Sequence, residues 1–187
     1  MGTGTKEVIR ILKQGGVAVM PSDTILGIMG SALRSRTVER IYRLRGRNRK
    51  KPLIVLIKSS RSLIRFGIRP SPHLATFLRR VWPGPVQPSR KASAGAVSVV
   101  LPCPGSRFRY LHRGTGTIAF RVPQPPALRK LLTKTGPLVA PSANREGEPP
   151  ARTVAEARRT FGDKVDIYMS GRSRTSAPSL VVRVLRH

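Results

Sequence analysis

Apolar positions along this chain alternate between helical and strand spacing, and the alternation predicts an α/β layer architecture. Val8, Ile9, Ile11 and Leu12 fall on one stripe of a helix over Lys6 to Gln14, which Gly15-Gly16 ends. Val17 to Met20 then reads as a short buried strand. Pro21 to Gly30, PSDTILGIMG, reads as a polar and glycine-rich turn between apolar segments. A helix from about Arg36 to Arg45 buries Val38, Ile41 and Tyr42. Pro52 to Ile57 returns as a near-continuous apolar run, the signature of a strand covered on both faces of its sheet.

The second half keeps the same rhythm less regularly. Ser71-Pro72 caps and starts a short helix that buries Leu74, Phe77 and Leu78 and ends before Trp82-Pro83-Gly84-Pro85. Pro88 to Gly95 reads as an exposed loop, because it mixes Ser, Gly, Pro and two cations with no periodic face. Val97 to Leu101 and Thr117 to Val122 read as strands. A helix over about Pro126 to Lys134 stops at Gly136, and Leu138 to Ala140 is a buried strand that runs into PSANREGEPP at Pro141 to Pro150. Thr153 and Glu156 have the spacing of a capping box, and Gly162 follows the last apolar residue of that helix, Phe161. Asp166 to Met169 and Leu180 to Val184 complete the strands. Neither repeats nor a change of composition calls for a second domain, so residues 1–187 are read as one.

Charge changes the picture. The 187 residues carry 36 Lys and Arg against eight Asp and Glu, a formal net charge of +28. From Arg34 to Arg65 there are twelve cations and one acid, Glu39. A surface so dense in one sign repels itself and favours a polyanion, whose condensed counterions are released on binding; RNA is the expected large partner. Aromatic residues are few and not interleaved with the cations, so phosphate and shape contacts are expected rather than base stacking. The single Cys103 excludes an internal disulfide and suits a reducing compartment, cytoplasmic or organellar matrix. No Cys/His cluster has the spacing of a metal site. The apolar runs fall far short of the roughly 20 residues that span a bilayer, so no membrane insertion is expected.

Several short polar clusters border the expected strands. Ser22, Asp23 and Thr24 follow the first strand, where hydroxyl and carboxylate groups can face a cleft. Arg45 and Arg47 stand where the second helix gives way to a polar loop, offering guanidinium groups to phosphate oxygens. Ser142 and Asn144 follow the Leu138 to Ala140 strand. His73, His112 and His187 are scattered and match no ligand pattern, Cys103 has no basic neighbour, and Trp82 reads as an anchor of its turn onto the core.

The order of these clusters is more telling than any one of them. PSDTILG, YRLRGRNRKKPLIV at Tyr42 to Val55, WPGPV at Trp82 to Val86, TIAFRVP at Thr117 to Pro123 and GPLVAPSANREGEPP at Gly136 to Pro150 together resemble the YrdC/Sua5 family of threonylcarbamoyl-adenylate synthases. TVAEARRTFGDKVDIYMSG and the SLVV at Ser179 to Val182 continue the resemblance over nearly the whole chain. It implies a twisted mixed sheet with flanking helices and a basic concave surface. It also implies that L-threonine, bicarbonate and ATP, the last arriving with Mg2+, are converted to threonylcarbamoyl-adenylate and pyrophosphate for modification of adenosine 37 of tRNA, which a separate transferase completes. By the same resemblance Arg45, Arg47, Ser142, Asn144 and Ser179 surround ATP, Ser22 and Thr24 hold threonine or its carbamate, and Arg121 belongs to the substrate site.

The chain departs from the family pattern at several points. Arg45 stands in place of a lysine, and a guanidinium does not reproduce an ammonium point contact. Ser22 replaces a threonine, Leu26 an aromatic residue, Leu180 a threonine and Arg183 an aspartate, while Gln87 and PSRKASAGA interrupt a run into a strand. Two readings therefore compete: an active synthase, with Arg45, Arg47, Ser22 and Thr24 as its catalytic set, and a catalytically impaired relative kept as an RNA-binding or ribonucleoprotein component.

Overall fold

The computed structural model describes residues 3–84, 96–171 and 179–184. Gln87, the expected loop at Pro88 to Gly95 and His187 lie outside the described residues.

The chain opens with helix α1 (Thr3–Gln14), strand β1 (Val17–Pro21), strand β2 (Leu26–Ser31), helix α2 (Ser35–Arg45) and strand β3 (Ile54–Leu56). A 3-10 helix (Ser60–Phe66) and α3 (Pro72–Val81) lead to β4 (Val97–Pro102), the short α4 (Arg109–His112) and β5 (Thr117–Arg121). Next come α5 (Pro126–Thr135), β6 (Leu138–Val139), α6 (Val154–Phe161), β7 (Ile167–Tyr168) and β8 (Leu180–Arg183). All eight strands join one mixed sheet in the order β7-β1-β2-β6-β3-β5-β4-β8. The pairs β7-β1, β3-β5 and β4-β8 are parallel and the others antiparallel.

The two-residue period of the strands sorts the core into two layers. From β1, Val17 and Val19 face α2 and α6, packing with Val38, Ile41 and Phe161, whereas Ala18 and Met20 face α1 and α5, packing with Val8, Leu12, Leu128 and Leu131. Burying each of the larger side chains contributes about 1.5–3 kcal/mol. Local signals start two helices as read from the sequence: the Ser71 hydroxyl accepts from Leu74 N–H at 3.3 Å at the head of α3, and the Thr153 hydroxyl from Glu156 N–H at 3.1 Å at the head of α6. The Glu156 carboxylate reaches back to Arg152 N–H at 2.8 Å, one residue earlier than in a standard capping box. Trp82 anchors its turn by donating its indole N–H to the Val97 carbonyl at 2.9 Å.

One expectation is corrected. Leu26 to Ser31, read as the tail of a turn, is a fully buried strand between β1 and β6. Its glycines hide the strand pattern because they serve close packing: a Cβ on Gly30 would lie 2.5 Å from Thr37 Cγ2 and 3.0 Å from Ile41 Cδ1, so only glycine lets α2 lie so close to the sheet. The 3-10 helix and α4 had no clear periodic signal, being too short to show one.

Candidate active-site cleft

A cleft of about 190 Å³ opens where β2 and β3 begin and β6 ends. Its walls include Ser22, Thr24, Arg45, Arg47, Arg121, Ser142 and Ser179, side chains drawn from segments up to 157 residues apart in the chain. Asn144 is the one expected site residue that is not part of this lining.

The first wall is the turn between β1 and β2. The Ser22 hydroxyl donates to the Ile25 carbonyl at 2.6 Å and accepts from Thr24 N–H at 3.1 Å, with Thr24 Oγ1 also 3.1 Å away. These local bonds pin two hydroxyls side by side at the cleft edge, the ordinary behaviour of Ser and Thr in turns. Asp23, between them, turns away from the opening. Its carboxylate lies 3.1 Å from Arg121 Nη2, and the two side chains are 2% and 4% exposed. The pair does not form a hydrogen bond: both Asp23 oxygens and Arg121 Nε lack partners. Burial pushes the Arg121 guanidinium below its usual range and the Asp23 charge opposes that shift.

The second wall comes from the end of α2. Gly46 adopts a left-handed conformation, φ 57°, and its N–H and that of Arg47 close the helix on the Arg43 and Tyr42 carbonyls. This reversal sends Arg45 inward and leaves Arg47 at the rim. Arg45 is 3% exposed; its Nε donates to the Asn144 carbonyl at 2.9 Å, and its Nη2 to Asn144 Oδ1 at 3.1 Å and Ser142 Oγ at 3.2 Å. Its Nη1 has no acceptor. Burial, then the neighbouring Arg47 charge, lower its pKa to about 10, which leaves it cationic at neutral pH. Arg47 donates from Nε to the Lys51 carbonyl at 3.3 Å and from Nη2 to the Pro52 carbonyl at 3.2 Å.

The third wall is the segment after β6. Gly27 and Ser142 form an antiparallel bridge, and the Ala143 N–H bonds the Leu26 carbonyl at 2.9 Å, so the segment continues along β2 beyond the strand itself. A Cβ on Gly27 would sit 3.3 Å from the Pro141 carbonyl oxygen, so glycine lets the two backbones meet. Asn144 is fully occupied: its Oδ1 accepts from Arg45 and its Nδ2 donates to the Arg145 and Glu148 carbonyls at 2.8 and 2.7 Å. It holds Arg45 and its own loop from behind. Ser179, just before β8, lies with its Oγ 3.0 Å from Ser98 Oγ.

Glu146 is the residue that the sequence reading missed. Its carboxylate accepts from Lys51 Nζ at 2.7 Å and from the Asn48 N–H, while its own N–H donates to the Arg45 carbonyl at 2.8 Å. It thus clamps the loop after α2 to the loop after β6. The Lys51 and Asn48 bonds hold its carboxyl below the usual range. The available signal was scarcity: an acid within a Pro/Gly-rich segment of a chain with only eight acids. His112 and Cys103 are buried outside the cleft. The His112 Nδ1 accepts from Gly114 and Gly116 N–H, and burial pushes the Cys103 thiol pKa up.

The arrangement presents fixed guanidinium groups and hydroxyls to an anionic ligand of moderate size, and among the described residues it pairs no nucleophile with a base. Among the described residues no three His, Cys, Asp or Glu side chains gather to hold a metal ion. No helix of the structure is long and apolar enough to cross a membrane among these residues.

The Sua5/YciO/YrdC family model, described as telomere recombination, matches residues 10–187. The chain is 34% identical over 163 residues to a threonylcarbamoyl-AMP synthase of Halorhodospira halophila, covering 86% of this chain and 79% of that protein. It is 31% identical to one from Nitrosococcus oceani, covering 87% and 82%. Among solved structures, that of P. abyssi Sua5 complexed with L-threonine superposes with a TM-score of 0.80 at 27% identity, covering 96% of this chain and 50% of the other. The chain thus spans about half of the P. abyssi protein and about four-fifths of these two bacterial relatives.

Proposed function

The chain belongs to the Sua5/YciO/YrdC family, and from that premise we propose that it is a threonylcarbamoyl-AMP synthase, condensing L-threonine, bicarbonate and ATP. The observation that carries the proposal is the convergence of Ser22, Thr24, Arg45, Arg47, Arg121, Ser142 and Ser179 on one cleft.

The chemistry needs little more than such a cleft. The threonine amine adds to carbon dioxide derived from bicarbonate, losing water overall, and the carbamate oxygen then attacks the α-phosphorus of ATP. The bond to the β-phosphate oxygen breaks and pyrophosphate leaves with its electron pair. Negative charge accumulates around phosphorus and on the leaving group, so fixed cations and proximity supply the main acceleration. Arg47, at the rim and only loosely tied to backbone carbonyls, is suited to bind phosphate oxygens. Arg45 contributes charge from behind and keeps Ser142 oriented, with Asn144 acting as its positioning residue. The paired Ser22 and Thr24 hydroxyls would receive the threonine end, and Arg121, its charge offset by Asp23, would flank the carbamate. The carboxylates of Asp23 and Glu146 are engaged with Arg121 and with Lys51 and the Asn48 N–H. Mg2+ would therefore enter as the phosphate-bound ion of ATP, offsetting phosphate charge, rather than in a protein cage.

Of the departures that favoured an impaired relative, Arg45 and Ser22 line the cleft, where they keep a positive charge and a hydroxyl, whereas Leu26, Leu180 and Arg183 lie outside it. Leu26 is a buried core residue of β2; Leu180 and Arg183 on β8 are exposed, and none of the three lines the cleft. The product is a mixed anhydride of a carbamate and a phosphate, so the reaction that consumes it is acyl transfer to an amine. We assign that amine to adenosine 37 of tRNA, delivered by a separate transferase. The test is mass detection of threonylcarbamoyl-adenylate and pyrophosphate, with ATP, L-threonine and bicarbonate each omitted in turn. Product that depends on all three is expected; folded protein that binds ATP and yields no adenylate would overturn the proposal.

A further inference from the structure

At the opposite ends of the strands that hold the cleft lies a second concavity. Gly27, Ala140 and Ile54 border the cleft, whereas Ser31 at the end of β2, Lys58 after β3 and Gly136-Pro137 before β6 border this one. Four residues along β2 separate the two, a distance of about 13 Å at strand rise. This hollow, about 500 Å³, is ringed by Lys13, Arg34, Lys58, Arg65 and Lys134 with no acid in its lining. A neighbouring hollow of about 410 Å³ shares Leu33 and Arg65 with it and adds Arg107.

Its walls are built by tertiary contacts. Arg34 Nη2 donates to the Lys13 carbonyl at 3.1 Å, tying the end of α1 to the start of α2. Arg65 Nη1 reaches within 3.8 Å of where a Cβ on Gly136 would stand, so the 3-10 helix closes on the end of α5. The five acids that form ion pairs, Glu7, Asp23, Glu39, Glu146 and Asp166, all do so elsewhere. No ion pair with any of the six groove cations is found among the described residues. Six uncompensated cations therefore share one continuous groove, and only an external anion can relieve their repulsion.

Shape says which anion. A diphosphate or triphosphate would fill one hollow and leave the other. Exposed apolar side chains instead stand among the cations: Leu33, 38% exposed, belongs to both hollows, and Ile64, 55% exposed, to the second, beside Arg65 and Arg107 in its lining. That mixture of cations and apolar side chains matches a strand whose phosphates repeat with sugars and bases between them. The Thr133 and Thr135 hydroxyls in the lining donate to the Arg129 and Leu131 carbonyls at 3.0 and 3.1 Å, so towards a ribose 2′-hydroxyl they can act as acceptors. We propose that this groove is an RNA-binding track, distinct from the cleft, that engages a single-stranded phosphodiester backbone through Lys13, Arg34, Lys58, Arg65, Lys134 and Arg107.

The inference goes beyond the adenylate chemistry and stands whether or not that chemistry occurs. The probe is a fluorescein-labelled 12-nucleotide oligo(U), followed by anisotropy between 50 and 200 mM salt. Lys58→Ala/Arg65→Ala/Lys134→Ala removes three cations that make no side-chain hydrogen bond among the described residues; Arg69→Ala/Arg80→Ala/Arg159→Ala removes three exposed cations outside the groove. With a slope of about 0.7 per phosphate contact for single strands, the groove variant should lose about 2 from the log–log salt slope and about 100-fold in affinity at 0.1 M salt. The control variant should lose far less, and circular dichroism should show both folded. Equal losses in the two variants would overturn the track, leaving a diffuse field. So would an unchanged oligo(U) affinity together with a lost tripolyphosphate affinity, which would mark a small-anion pocket, or equal binding of oligo(dT), which would remove the RNA assignment. Pyrophosphate release in the adenylate assay, read separately, should stay within about twofold for the groove variant, so a failure of the synthase reading cannot be mistaken for a failure here.

Discussion

Replacing Asp23 with Ala would strand the Arg121 guanidinium in the protein interior. The two side chains are 2% and 4% exposed and 3.1 Å apart, and at an effective dielectric of about 20 their attraction is about 5 kcal/mol. Desolvation of both ions has already consumed much of that, so the pair as a unit is worth little, whereas removing one partner costs about 3–5 kcal/mol. Asp23 and Arg121 are not joined by a hydrogen bond, which sets the expectation near the lower figure, about 3 kcal/mol. Arg121→Met should cost a similar amount by stranding Asp23. The double variant Asp23→Ala/Arg121→Met should recover most of the loss, because no uncompensated charge remains. Urea unfolding of the four proteins at pH 7 and 0.15 M salt measures the cycle. If Asp23→Ala loses less than about 1 kcal/mol, or if the two single losses simply add, the pair is not a coupled buried unit and Arg121 is held by something else. The double variant should also lose threonine-dependent turnover despite its recovered stability, since it lacks the guanidinium assigned to the carbamate.

Two further expectations follow from the cleft. Arg47→Ala should weaken ATP binding by about 10- to 100-fold, the worth of one charge-assisted hydrogen bond, while Arg61→Ala, outside the cleft, should change it less than about twofold; equal and negligible losses in calorimetric titration would remove Arg47 from the site. Glu146, whose carboxyl is held below its ordinary value of 4.5 by Lys51 and the Asn48 N–H, contributes stability that is fully present above that value and lost as pH falls through its folded value. The difference in urea midpoint between the natural protein and Glu146→Gln should therefore be constant from pH 7 to about 5 and shrink towards pH 3; a difference that stays constant to pH 3 would show that the clamp does not depend on the charge.

Much of this protein is legible in its sequence because the responsible forces are local. The stripe of Val8, Ile11 and Leu12, the caps at Ser71 and Thr153 and the unbroken run at Pro52 to Ile57 each encode their element within a few residues, and the order of the polar strings identifies the family. Other features depend on contacts far apart in the chain. Gly27 and Gly30 look like turn residues until Pro141 and the Thr37 and Ile41 side chains are packed against them; a Cβ would then be tight at Gly27, 3.3 Å from the Pro141 carbonyl oxygen, and would clash at Gly30, 2.5 Å from Thr37 Cγ2. Asp23 reads as a cleft carboxylate, yet its partner is 98 residues away in β5; Asn144 reads as a ligand, yet Arg45 uses its carbonyl and amide oxygens from the end of α2. The six groove cations look like ordinary surface charge in a chain at +28. Only folding brings the ends of α1, α5 and the 3-10 helix, the start of α2 and the loops beside them to one place, because sheet pairing, which no local pattern encodes, decides which strand ends are neighbours.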